Sequence, residues 1–65
     1  MKITQPELAI LRLIAEAKTD AEIAEDLGIA VHLVKMRAYR LRNKIGMDNR
    51  TGMALWAIRE GIAQV

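Results

Sequence analysis

Apolar residues along this chain recur at three- and four-residue spacing in four separate runs, the period of amphipathic helices. Leu8, Leu11 and Ala15 with Ile10, Ile14 and Ala17 form the first stripe. It opens on Thr4-Gln5-Pro6-Glu7, in which Thr4 caps the helix, Glu7 reaches back to complete a capping box, and Pro sits harmlessly in the first turn. This predicts a helix over about 5–17. Thr19-Asp20-Ala21-Glu22 is a second capping box; Ile23, Ala24 and Leu27 follow, and Gly28 ends a helix over about 20–27. Val34, Ala38, Leu41 and Ile45, spaced four, three and four, give a third over about 31–45, stopped by Gly46. Asn49 is a plausible cap for the last, about 50–60, with Met53, Ala54, Ala57 and Ile58 inward. Gly52 in its first turn costs up to about 1 kcal/mol relative to Ala.

The second and third patterns are joined by Gly28-Ile29-Ala30 alone. A short glycine-containing turn between helices crossing at a wide angle is the helix-turn-helix unit. Its geometry accounts for three residues at once: Ala24 is small because the third helix crosses over it, Gly28 makes the turn, and Val34 plugs the angle. A generic helical hairpin is the competing account. The expected fold is all-α, four helices in one domain spanning 1–65.

Composition narrows what such a domain can do. At 65 residues the chain has no cysteine for a disulfide or thiolate site, and His32, its one histidine, cannot build a zinc cage. A chain this short buries only about 60% of its unfolded surface, which excludes a deep enclosed pocket. With no Phe, one Tyr and one Trp, the core falls to Ile, Leu, Val, Met and Ala. No nucleophile with a base and no paired buried acids are present, so no enzyme, cofactor or metal is expected. The amino end lacks an apolar signal core and no uncharged run exceeds eight residues, far below the ~20 of a membrane span. The expected location is cytoplasmic, and Asn49-Arg50-Thr51 reads as a helix start rather than a glycosylation site.

The net charge of +2 conceals a division. Up to Ala30, three cations (Lys2, Arg12, Lys18) face six carboxylates (Glu7, Glu16, Asp20, Glu22, Glu25, Asp26), a balance of −3. From Val31 to Arg50, six cations (Lys35, Arg37, Arg40, Arg42, Lys44, Arg50) face Asp48 alone, a balance of +5. A block of that sign points to a polyanion, a solvated basic face being the alternative. With the third seam turned inward, His32, Met36, Tyr39 and Asn43 point most directly away, Lys35 and Arg40 lie beside them, and Arg37, Arg42 and Lys44 flank the helix. Such a helix suits a major groove, with base-reading groups at its crest and cations beside the phosphates. His32, Lys35, Met36 and Tyr39 are the candidate base contacts; Met36 could pack on a thymine methyl and Lys35 could donate to guanine. His32 could equally be an exposed polar residue of the first turn, and Tyr39 could lie over the helix surface. Lys18 and Thr19, at the amino end of the second helix, are candidate phosphate contacts with Arg37, Arg40, Lys44 and Arg50, although Asp20 opposes a phosphate there.

From Ile3 to Ile62 the sequence resembles the LuxR/GerE/FixJ-type (NarL-like) helix-turn-helix domain. The resemblance rests on Ile3-Thr4, Glu7, Ile10-Leu11, Leu13-Ile14-Ala15, Glu22-Ile23-Ala24-Glu25, Leu27-Gly28-Ile29, Val34-Lys35, Lys44-Ile45-Gly46, Asn49-Arg50-Thr51, Ala57 and Gly61-Ile62. It implies a third helix that reads the major groove and a fourth that commonly pairs with a second subunit. By position it puts Lys35, Met36 and Tyr39 on base-contacting sites, and Lys44 and Arg50 near the DNA backbone. Departures are Ala30 and Leu33, where Ser or Thr and Thr are usual, Arg37 for His, Arg40 for Asn, and Gly52 for Glu.

A single such domain makes few base contacts, so binding to paired half-sites as a homodimer is expected. Trp56, Arg59, Glu60 and Ala63 are the candidate dimer surface on the fourth helix, with Leu55 at its margin and Trp56 near the axis, a Trp folded onto its own core being the alternative. The expected function is sequence-specific double-stranded DNA binding by a small stand-alone transcriptional regulator, repressor or activator. RNA polymerase and a longer LuxR-type regulator are further candidate partners. The alternative is an interaction module that pairs with and inhibits such a longer regulator, favoured by the missing hydroxyls at Ala30 and Leu33 and opposed by the cations.

Overall fold

A computed structural model describes residues 2–64 as four helices: α1 (Gln5–Ala15), α2 (Asp20–Leu27), α3 (Val31–Ile45) and α4 (Arg50–Arg59). Met1 and Val65, the ends of the expected domain, lie outside the described residues. Both expected capping boxes are formed. Thr4 Oγ1 accepts from the Glu7 N–H at 3.3 Å while the Thr4 N–H donates to Glu7 Oε1 at 2.8 Å. Thr19 and Glu22 repeat the exchange at 3.1 and 2.8 Å. At the start of α4, Asn49 Oδ1 accepts from the Gly52 N–H at 2.8 Å. Only α3 begins without a side-chain cap: Ala30 holds the extended cap geometry, φ −71° and ψ 147°, but has no oxygen to offer.

The carboxyl ends share one device. In each, an N–H closes a six-residue ring back into the last turn: Lys18 to Leu13 O (3.1 Å), Ile29 to Ala24 O (3.0 Å), Met47 to Arg42 O (3.1 Å) and Ile62 to Ala57 O (2.9 Å). This closure requires a left-handed residue just before the donor. Gly28, Gly46 and Gly61 fill that position, but at the end of α1 it is Ala17, with φ +63°. The apolar residue that normally follows such a closure is present as Ile29, Met47 and Ile62, all packed on the core. After Ala17 stands Lys18. Helix α1 therefore stops at Ala15 rather than at residue 17, because Ala17 has left helical conformation to close the ring. Helix α4 ends at Arg59, one residue before the expected bound, as Glu60 enters the turn that leads to Gly61.

The core is entirely apolar: Ile10, Leu11, Ile14, Ile23, Ala24, Val34, Leu41, Ile45, Met53 and Ala57. Each helix contributes from one face, and α1 and α4 pack extensively on each other while α3 leans on α2. Among the described residues no polar or charged side chain is buried. Ala24 (5% exposed) and Val34 (0%) meet at the α2–α3 joint, and Gly28 turns the chain with φ +67°. The small residue, the turn glycine and the buried plug read from the sequence thus all stand at the α2–α3 joint.

Two substitutions should stabilise the domain. Ala17→Gly relieves left-handed strain of about 1–2 kcal/mol, partly offset by the freedom glycine adds to the unfolded chain. Ala30→Ser supplies the missing cap, about 1 kcal/mol. Each should raise the thermal midpoint by about 4 °C in a domain of this size. An unchanged or lowered midpoint for Ala17→Gly would show that the strain at residue 17 is no larger than that offset.

Candidate nucleic-acid interface

Because Val34, Leu41 and Ile45 are buried and Ala38 half-buried, the opposite side of α3 faces solvent. His32, Lys35, Met36, Arg37, Tyr39, Arg40 and Asn43 are all exposed, as the helical period required. Met36 at 41% and Tyr39 at 61% are among the most exposed large apolar side chains. A soluble helix leaves such groups in water at a cost in apolar burial, which makes a row of them on one crest informative. The four candidate base contacts lie along the amino-terminal two-thirds of this crest, on consecutive turns.

The cations divide into two classes. Lys44 donates to Glu7 Oε1 at 2.9 Å, tying α3 to the first turn of α1. Arg50 reaches from the first turn of α4 to Asp20 Oδ1 (2.7 Å) and to the Lys18 carbonyl (2.8 Å), joining α4 to the end of the α1–α2 loop and the start of α2. Lys18 pairs loosely with Asp26 at 3.8 Å. These three candidate phosphate contacts thus already serve as braces between elements. Lys35, Arg37 and Arg40 make no ion pair among the described residues. The unneutralised charge is therefore concentrated on α3.

Asp20 and Glu7 explain the division. Six of the eight carboxylates precede α3 in the chain, and two of them are placed by the fold opposite its basic segment. Glu7 titrates below its ordinary value of 4.5, chiefly because its carboxylate accepts the Thr4 N–H and next because Lys44 donates to it. Glu22 is lowered as well, first by the Thr19 backbone N–H. Thr19 Oγ1 accepts from the Glu22 N–H, and the side chain is exposed.

Arg42 was missed as a structural residue. Its Nη1 donates to the carbonyls of Met47 (3.0 Å) and Asp48 (3.2 Å), and its guanidinium lies 5.4 Å from the centre of the Tyr39 ring. An arginine three residues after a tyrosine and four before a helix-ending glycine is the signal that would have found it.

The expected surface of α4 needs correction. Trp56 is half-buried and packed against the core, as is Ala63, while Leu55 stands out at 56% exposed. The stripe is rotated because Met53 and Ala57 (2% and 0% exposed) define the inward direction, with Ala54 and Ile58 at its edges. Trp56, three residues after Met53, shares that side. Arg59 and Glu60 are exposed as expected.

Residues 1–57 match the family described as bacterial regulatory proteins, luxR family. The transcriptional regulatory protein LiaR of Bacillus subtilis (strain 168) is 42% identical over 57 residues, covering 88% of this chain and 27% of that protein. YdfI, a transcriptional regulatory protein of the same organism, is 33% identical over 64 residues, 98% of this chain and 30% of that protein. The regulatory protein SdiA of Escherichia coli (strain K12) is 37% identical over 62 residues, 95% of this chain and 26% of that protein. The chain thus spans between a quarter and a third of the length of these relatives.

Thermal melts distinguish the two classes of cation. Lys44→Gln and Arg50→Gln should lower the midpoint, by about 1 kcal/mol or less for each exposed brace, while Arg37→Gln and Arg40→Gln should leave it unchanged. The Glu7 contribution is present above pH 4.5 and is lost as pH falls through its depressed folded value. Glu7→Gln should therefore flatten the acid limb of stability against pH; an unaltered limb would show that the pair stabilises nothing.

Proposed function

The chain belongs to the luxR family of bacterial regulatory proteins, and from that premise we propose that it binds double-stranded DNA sequence-specifically to regulate transcription, with α3 in the major groove. The observation that carries this reading is the outer face of α3, where the base-facing crest of His32, Lys35, Met36 and Tyr39 is flanked by unpaired Arg37 and Arg40. A major groove about 12 Å wide admits one helix with its side chains. Met36 and Tyr39 offer apolar and hydroxyl contacts to base edges, Lys35 offers donors to guanine, and the two arginines reach the flanking phosphates. Thr19 adds a hydroxyl at the amino end of α2. Lys44, Arg50 and Lys18 act chiefly as braces, their charge neutralised by the carboxylates they hold.

The domain measures 27 Å in its longest dimension, less than the ~34 Å helical repeat that separates half-sites. One copy covers one half-site, so tight binding calls for two. We place the contact between copies on the outer side of α4, with Leu55 and Arg59 at its centre and the accessible edge of Trp56 beside them. The family is one of transcription regulators rather than enzymes. A module that silences a longer regulator by pairing with it is the second reading, and the uncapped start of α3 is what favours it.

Selection from random duplexes followed by salt titration decides between them. The expected result is an enriched two-part site whose affinity falls steeply with salt, Arg37→Gln and Arg40→Gln each reducing the slope by about one. Leu55→Asp should halve the number of protein copies in the DNA-bound assembly, from two to one, in sedimentation. No enriched site, with no salt dependence, would favour the pairing module.

A further inference from the structure

We propose that Arg42 is a positioning residue for Tyr39, fixing the phenol ring on the crest of α3 and thereby setting how sharply that position discriminates between bases. The proposal rests on the reading of α3 as the helix that meets DNA. Tyr39 is the most exposed large apolar side chain described on α3, at 61%, and a ring so exposed would ordinarily exchange rotamers in solution. Here one guanidinium lies 5.4 Å from its centroid. That guanidinium is itself held: Nη1 donates to the Met47 and Asp48 carbonyls at 3.0 and 3.2 Å. The Met47 N–H in turn returns to the Arg42 carbonyl at 3.1 Å, so backbone and side chain of Arg42 grip the same short loop. Arg42 is half-buried, whereas Arg37 and Arg40 are exposed.

The consequence for recognition is entropic. A reading side chain that is already ordered loses less freedom on binding, and an ordered ring rejects a wrong base where a mobile one would swing aside. Arginine is specifically suited, because a planar fork can stack on a ring and bond carbonyls at once; a lysine ammonium retains the charge but offers neither the plane nor the fork. Arg42 thus differs in role from the cations around it. It couples the loop that ends α3 to the base-facing crest, without itself touching DNA.

Arg42→Lys, Tyr39→Ala and the double variant should be compared for affinity to the selected duplex and to each single-base-pair change of it. Arg42→Lys should lose about three- to tenfold discrimination, the worth of one such stacked pair, at the base pair that Tyr39→Ala relaxes and nowhere else. The double variant should be no worse than Tyr39→Ala. Discrimination retained in Arg42→Lys, spread evenly over all positions, or additive with Tyr39→Ala would overturn the proposal. Tyr39→Ala leaves the carbonyl bonds in place, so any loss of stability in Arg42→Lys is separated by its thermal melt. Nuclear magnetic resonance of the DNA-free protein supplies the second arm: contacts between the Arg42 side chain and the Tyr39 ring, and one χ1 rotamer that becomes averaged in Arg42→Lys. A ring already averaged in the parent overturns the positioning role alone. A pinned ring in a chain that selects no sequence overturns the DNA reading, and the role of Arg42 with it.

Discussion

The contact of Val34 with the joint between α2 and α3 is the constraint on which the rest depends. Val34 is fully buried, Ala24 in the same core is 5% exposed, and Gly28 lets the chain reverse between them. Together they fix the angle of α3 and its rotation about its own axis. With 100° between successive residues, an inward Val34 sends Met36 outward and Lys35 and Arg37 to its sides. A bulkier residue at 24 would lift α3 off the core and turn its crest. The surface chemistry of the molecule is thus decided by packing at a point that the surface never shows.

Around this joint the core is small and apolar, and the charged residues do the work of holding elements in register. The acidic first half supplies Glu7 and Asp20, which fasten α3 and α4 through Lys44 and Arg50. None of these pairs is buried, so each contributes little alone. Their larger effect is selective: they neutralise cations at the base of the basic segment and leave Lys35, Arg37 and Arg40 without carboxylate partners among the described residues. The modest net charge of +2 is the sum of a scaffold that carries all eight carboxylates and an α3 that carries only cations.

Most of the fold was legible in the sequence because each local signal had a single physical outcome. Two capping boxes, two glycine stops and the four-three-four seam of α3 placed the helices to within two residues. The errors arose where one residue type stood in for another. Ala17 takes a left-handed role that glycine fills at the other three helix ends, so α1 was read as two residues longer. A stripe of small residues leaves the direction of α4 ambiguous, so the sequence admits Trp56 either outside or folded onto the core; the burial of Met53 and Ala57 settles it and turns Leu55 outward. The exposed row on α3 followed from period alone. The pairing of Lys44 and Arg50 did not, since it depends on carboxylates 37 and 30 residues away in the chain.

The central claim is that the outward face of α3 is where DNA lies. Backbone amide shifts followed by nuclear magnetic resonance during titration with a selected duplex test it residue by residue. The account predicts the largest changes from His32 to Arg40, with a smaller set at Thr19, and little change on the far side of α1 at Arg12 and Glu16. Changes centred on α1 or on the acidic outer face of α2, with α3 unmoved, would contradict it.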